Sequence, residues 1–178
     1  MTAPPEAVKS ANPPNATVSY LLRGDEAGFR NYRKEADSPL NRAGITWAKA
    51  CELAPAKLGK KPTRMQRAVG AGISVYVSHS PDPKNRQAHR AGRPLGTALA
   101  MLDGGKIRVQ SVLSADTFDD LIYYLRGVVR MMREQQIQFD YTQLIWDLAL
   151  WQNPEKQQDV TARWGKDFYL HGLRGPRT

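Results

Sequence analysis

The chain has 178 residues, 41% of them hydrophobic, and carries 26 Lys and Arg against 17 Asp and Glu, a net charge of +9. That length can bury a core without covalent staples, and no apolar run approaches the roughly 18 residues of a membrane span. The single cysteine, Cys51, excludes an intramolecular disulfide framework and a cysteine-rich zinc site, and suits a reducing compartment.

Residues 1–15 are rich in Pro and Ala and lack the apolar stretch of a secretory signal, so they read as a disordered tail on a cytoplasmic protein. Beyond them the apolar period is helical almost throughout, and no alternating run is long enough for a convincing strand. Thr17 to Arg23 and Asp25 to Ala36 read as two short helices, broken at Gly24, with Asp25 as an N-cap. A helix from about Arg42 to Leu53 is expected to turn Ile45, Ala48 and Leu53 inward. The next, from Pro62 to about Ser78, carries the stripe Met65, Val69, Ile73 and Tyr76. Its other face holds Lys60, Arg64, Arg67, Ala71 and Ser74, where small residues would let a phosphate backbone approach the arginines.

Residues 79–93 show no apolar periodicity and hold Lys84, Arg86, Arg90 and Arg93 among prolines, so they read as a basic loop, either functional or disordered, and the sequence leaves open whether it orders on a partner. Pro94 to Asp103 and Ile107 to Ser114 follow as short helices, the second with Val109, Val112 and Leu113 inward. Thr117 caps a long helix to about Glu134 with the stripe Phe118, Leu121, Ile122, Leu125, Val129 and Met132. Tyr123, Arg126, Arg130 and Arg133 repeat on its opposite side. Asp140 caps a helix to Trp151 that is apolar nearly all round. Its Trp146 and Leu150 face either the chain's own core or a partner. Asn153-Pro154 opens the last helix, which buries Val160, Trp164 and Phe168 and shows Lys156, Asp159, Arg163 and Lys166 outward. The expected fold is all-α, a compact multi-helix bundle in which an N-terminal helical half (16–103) packs on a C-terminal helical bundle (104–172).

Charge is unevenly placed. Between Lys57 and Arg108 stand eleven basic residues and two acids, Asp82 and Asp103, while the rest of the chain balances at fifteen of each. An excess confined to one segment is the footprint of a polyanion-binding surface, most often for nucleic acid. A membrane-surface helix would need a strongly apolar opposite face and more aromatic residues.

From Pro94 onward the chain resembles the CasB family, the small subunit of the type I-E CRISPR effector complex Cascade. The resemblance rests on Leu95-Gly96-Thr97-Ala98-Leu99-Ala100, on Val112-Leu113-Ser114-Ala115-Asp116, and on Leu125-Arg126. It continues through Phe139-Asp140-Tyr141-Thr142-Gln143-Leu144-Ile145-Trp146-Asp147-Leu148 and Arg163-Trp164-Gly165-Lys166-Asp167-Phe168-Tyr169. These pieces cover a little under half the chain, and their order and spacing carry more than any one of them. Gly24-Asp25-Glu26-Ala27 with Arg30 and Arg33 looks like the family's N-terminal helix. The sequence departs at Gly127, where members often carry a second arginine, and at Gly165, where alanine is commoner.

The resemblance implies an all-α, non-catalytic subunit without cofactor, present in two copies along guide-RNA backbone subunits. Its partners would be the guide RNA, the target and displaced DNA strands, and other Cascade subunits. For that role, Arg64, Arg67, Arg108, Arg126, Arg130 and Arg133 are the first candidates for phosphate contact, then Lys156, Arg163 and Lys166, with Arg30 and Arg33 after them. Each could instead be a solvated or ion-paired side chain, Arg126 above all, since Asp119, Asp120 and Asp147 stand on its own or adjacent helices. Tyr123 is either a stacking platform for an unpaired base or a half-exposed packing residue.

Two other classes stay in view. A metal-dependent nuclease needs clustered carboxylates, and Asp116, Asp119 and Asp120 are the only dense group. Acids in the first turn of a helix explain them more simply. His79, His89 and His171 show no metal-ligand spacing with one another or with Cys51. A stand-alone helical adaptor, with the basic segment serving an acidic partner, is not excluded by any local feature.

Overall fold

Helix start signals in this sequence are side-chain caps, and the structure builds them. The computed structural model describes residues 12–56 and 61–172. Within them run α1 (Pro13–Arg23), α2 (Glu26–Glu35), α3 (Gly44–Leu53), α4 (Arg64–His79), α5 (Leu95–Ala100), α6 (Lys106–Leu113), α7 (Phe118–Glu134), α8 (Tyr141–Trp151) and α9 (Gln157–Gly172). A 3-10 turn, Leu40–Arg42, precedes α3. No strand forms among the described residues; an isolated parallel bridge joins His89 and Phe139. The all-α expectation holds.

The carboxylates of Asp25 and Asp140 accept from the Gly28 and Gln143 amides at 3.1 and 3.2 Å, and the Thr117 hydroxyl accepts from the Asp120 amide at 3.1 Å. Two starts differ from expectation. α1 begins at Pro13 behind an Asn12 cap, so residues 13–15 are helical rather than tail; residues 1–11 lie outside the described residues. α4 is started by Thr63, which forms a reciprocal capping box with Gln66 and leaves Pro62 outside the helix.

α4 is the central element, packed against α1, α2, α3, α7 and α8. Every residue from Ala68 to Ser80 is buried. Its small residues therefore serve close helix packing rather than phosphate approach: a Cβ at Gly72 would collide with Ile145, and one at Gly70 with Leu40. The expected outer face is interior at Ala71 and Ser74, and the Ser74 hydroxyl donates to the Ala36 carbonyl at 3.0 Å. Lys60 lies outside the described residues. Around α4 one hydrophobic cluster runs from Val18 to Trp164.

α3 is rotated from the expected orientation. Ile45 is 49% exposed and Ala48 is exposed, while Thr46 and Ala50 are buried. The cause is Glu35, whose carboxylate accepts from the Ile45 and Thr46 amides and from the Thr46 hydroxyl at 2.8–3.0 Å, satisfying a polar residue in the interior.

The basic loop is already docked on its own chain. The Arg90 amide donates to the Phe139 carbonyl at 2.9 Å, the Asp140 amide to the Arg93 carbonyl at 2.8 Å, and the Tyr141 amide to His89 Nδ1 at 3.0 Å. Ala88 is fully buried, and His79 is buried at the end of α4. Backbone pairing with residues 137–141 anchors the loop, which a search for apolar periodicity cannot register.

Candidate nucleic-acid interface

α7 turns Leu121, Leu125, Val129 and Met132 into the core. Its remaining face carries Tyr123, Arg126, Arg130 and Arg133. Tyr123 is 65% exposed, set edge-on to Tyr124. Arg130 Nη2 donates to Asp37 Oδ1 at 2.8 Å, and Arg133 Nη1 donates to the Ser78 carbonyl at 3.2 Å. From α2, Arg33 Nη1 reaches the Pro81 carbonyl at 2.8 Å. Arg30 is exposed one turn earlier. Arg33 of α2 and Arg133 of α7, distant in sequence, thus both reach backbone carbonyls at the end of α4. Arg126 and Arg130 share one carboxylate, while Arg33 and Arg133 bond to carbonyls and form no ion pair among the described residues.

Arg126 departs from the expected solvent-facing row. It is only 8% exposed, lines a cavity of about 260 Å³ with Ser74, Tyr123 and Asp37, and its Nε has no hydrogen-bond acceptor. The nearest acid is Asp37, at 3.7 Å, rather than Asp119, Asp120 or Asp147. Burial lowers its pKa; Asp37 opposes that shift and Arg130 adds to it.

A second group gathers at the start of α4. Arg64, Arg67 and Lys61 are exposed there. Gln152 ties the end of α8 to this point through a 2.8 Å bond to the Arg64 carbonyl. Gln157 lines a hollow there with Lys61, Arg64, Arg67 and Gln152, and the neighbouring Lys156 is exposed. Arg108, exposed on α6, lies beside α7: a Cβ added at Gly127 would stand 3.7 Å from its Nη1. Lys166 is exposed on α9.

Arg163 is committed elsewhere. Its Nη2 lies 2.5 Å from Asp147 Oδ1, and the same buried carboxylate accepts from Trp164 Nε1 at 2.8 Å and Gln143 Nε2 at 2.9 Å. Asp147 therefore knits α8 to α9, and Arg163, its side chain half in water, is ion-paired to that carboxylate. Asp37, which organises the α7 arginines, was not foreseen: it stands 93 positions from Arg130 and nothing in the local pattern marks it. Phe118 packs partly on the core, as its stripe position predicts, and also lines a hollow with Arg67 and Trp47; the place of Trp47 was not foreseen.

Among the described residues, no group of three His, Cys, Asp or Glu side chains is placed to hold a metal ion. None of the described helices is long and apolar enough to cross a membrane. Asp119 and Asp120 occupy the first turn of α7 behind the Thr117 cap, where the helix dipole favours them.

Fold and surface together define an all-α protein that carries a set of arginines on its packed helices. Residues 30–169 match the family model of the CRISPR-associated protein Cse2, and the chain belongs to that family. Membership implies a role in a CRISPR complex, in a family of structural subunits not known as enzymes. The fold is similar to that of CasB from M. ruber (TM-score 0.68, 20% identity, covering 92% of this chain and 95% of that one). It is also similar to CasB from Thermus thermophilus (0.68, 22%, 89% and 98%) and to a Cse2-family protein from the same species (0.66, 24%, 88% and 97%). A search among curated proteins finds no significant match to the sequence.

Proposed function

We propose that the chain is a non-catalytic, nucleic-acid-binding subunit of a type I-E CRISPR surveillance complex in the cytoplasm. There it stabilises the R-loop by phosphate contacts that ignore base sequence. It does so beside the guide RNA, the other Cascade subunits and a second copy of itself. The observation that carries this reading is the arginine set on and beside α7: Arg126 and Arg130 share Asp37, and Arg133 and Arg33 hold the Ser78 and Pro81 carbonyls at the end of α4.

Exchanging DNA pairing for guide pairing is nearly balanced in energy, so backbone contacts can decide whether the opened state lasts. Each cation that meets a phosphate releases counterions, and the planar guanidinium can engage two oxygens. The carbonyls of Ser78 and Pro81 take one hydrogen-bond donor each from Arg133 and Arg33, fixing the forks and leaving other donors available.

The test is an Arg33→Ala, Arg130→Ala, Arg133→Ala triple variant in the assembled complex. Arg126 is left intact because its burial makes it part of the packing. The R-loop lifetime is expected to fall at least tenfold, with the subunit still folded and incorporated. The variant should also show a shallower salt dependence of DNA binding, by about 0.7–0.9 in log–log slope for each phosphate no longer met by an arginine. An unchanged lifetime would overturn the proposal.

A further inference from the structure

At the start of α4, cations stand beside aromatic faces. Arg67, Trp47, Phe118 and Asp119 surround a hollow of about 510 Å³. A second hollow, of about 370 Å³, adjoins it through Arg67 and Phe118 and is rimmed by Lys61 and Arg64. The Phe118 ring packs against Trp151, centroids 6.1 Å apart, yet Phe118 is only partly buried and lines both hollows. Trp47 is half-buried in the same way. Three cations against one carboxylate, Asp119, make the groove attractive to a polyanion, and the two partly exposed aromatic rings that line it give that polyanion's bases somewhere to stack.

A duplex hides its base faces, so only an unpaired strand can use both features. We propose that this groove seats unpaired bases of the displaced DNA strand on Phe118 and Trp47, with Lys61, Arg64 and Arg67 on the flanking phosphates. The inference rests on the R-loop reading above. Guide and target occupy each other's bases, and the displaced strand carries unpaired faces along its length. Phosphate contact is indifferent to whether a base is present, whereas stacking is not.

The experiment keeps the protein unaltered in its first arm. Assembled complexes are loaded on targets whose displaced strand is non-complementary throughout, so that re-annealing does not enter. This strand carries either normal nucleotides or a run of abasic sites. Stacking of this kind is worth about 1–3 kcal/mol per base, so removing the bases should shorten the lifetime of the complex about tenfold. In the second arm, a Trp47→Leu, Phe118→Leu variant should be short-lived on the normal strand and no worse on the abasic one. Equal lifetimes on both strands in the unaltered complex would overturn the proposal, as would a variant that still responds fully to base removal. A loss seen only when abasic sites are placed in unpaired guide RNA would overturn the assignment to the displaced strand. If the arginine triple variant shortens the lifetime while base removal does nothing, the groove fails and the phosphate role stands. If the triple variant itself does nothing, the functional reading fails.

Discussion

Asp37 Oδ1 lies 2.8 Å from Arg130 Nη2 and 3.7 Å from Arg126 Nε, so one exposed carboxylate on the α2–α3 link restrains two guanidinium groups of α7. It orients them and also cancels part of the charge offered to a phosphate. Because Asp37 is largely exposed, these contacts are worth little for stability.

Asp37→Ala is therefore expected to tighten nucleic-acid binding at low salt, about threefold, and to steepen the log–log salt slope by up to about 0.9. Folding stability should change by less than about 1 kcal/mol. Titration of fluorescent single-stranded DNA across a salt series checks it. Weaker binding would mean that Asp37 serves mainly to hold the arginines in a productive pose.

The pairing of Asp37 with α7 also marks where the sequence ceases to be readable. The long helix was legible because Leu121, Leu125, Val129 and Met132 repeat at helical spacing, and all four are buried. Caps at Asp25, Thr117 and Asp140 were legible because a capping side chain needs only local geometry. The inward face of α3 was not, since Thr46 goes inside only because Glu35, on another helix, satisfies its hydroxyl. The same holds for the cationic face: spacing placed Arg126, Arg130 and Arg133 together, but the partners that bury or fix them are long-range. Arg163 is outward as its spacing suggests, but its ion pair with Asp147 was not legible, because that acid lies on the neighbouring helix.

Asp147 offers a sharp contrast between structure and charge. It is buried, takes three donors, and joins α8 to α9. Asp147→Ala should cost about 2–4 kcal/mol, because the buried Trp164 Nε1 loses its acceptor. Arg163→Ala should cost about 1 kcal/mol, since that side chain is half in water, and should leave the salt slope of DNA binding unchanged. Urea denaturation of both variants, with the same DNA titration, checks the pair. A large loss of binding with Arg163→Ala would restore it to the interface.

His79 predicts a pH dependence. Nε2 donates to the Ile137 carbonyl at 2.7 Å, and with the buried ring neutral at pH 7, Nδ1 accepts from the Tyr141 hydroxyl at 2.8 Å. Burial pulls its pKa down to about 4, against the Ile137 bond and aided by Arg133. Between about pH 4 and 6.5 the unfolded chain binds more protons than the folded one, so stability falls as pH falls through that window. From pH 7 to pH 5 the loss from this group should be about 2 kcal/mol. His89, its pKa also lowered by burial, adds the same sign. Urea unfolding at the two pH values should show the drop, and His79→Gln should remove most of it. A pH-independent midpoint over this range would refute the assignment.

Two glycines near the α5–α9 contact should respond to alanine with opposite signs. At Gly96 a Cβ would stand 2.7 Å from the Asp167 Cβ and run into the Trp164 carbonyl. Both obstacles belong to α9, so a side chain on α5 could fit only by prising the two helices apart. Gly96→Ala is therefore expected to cost about 1–3 kcal/mol, the usual penalty of overpacking. Gly165 is helical too, on α9, but nothing lies within 4 Å of a Cβ placed there. Gly165→Ala should instead stabilise the chain by up to about 1 kcal/mol through helix propensity alone. Thermal melts of the two variants and their double mutant distinguish packing from propensity. If Gly96→Ala melts with the parent, α5 and α9 are not held at the separation described. If Gly165→Ala melts lower, that position meets a neighbour that its open surroundings do not contain.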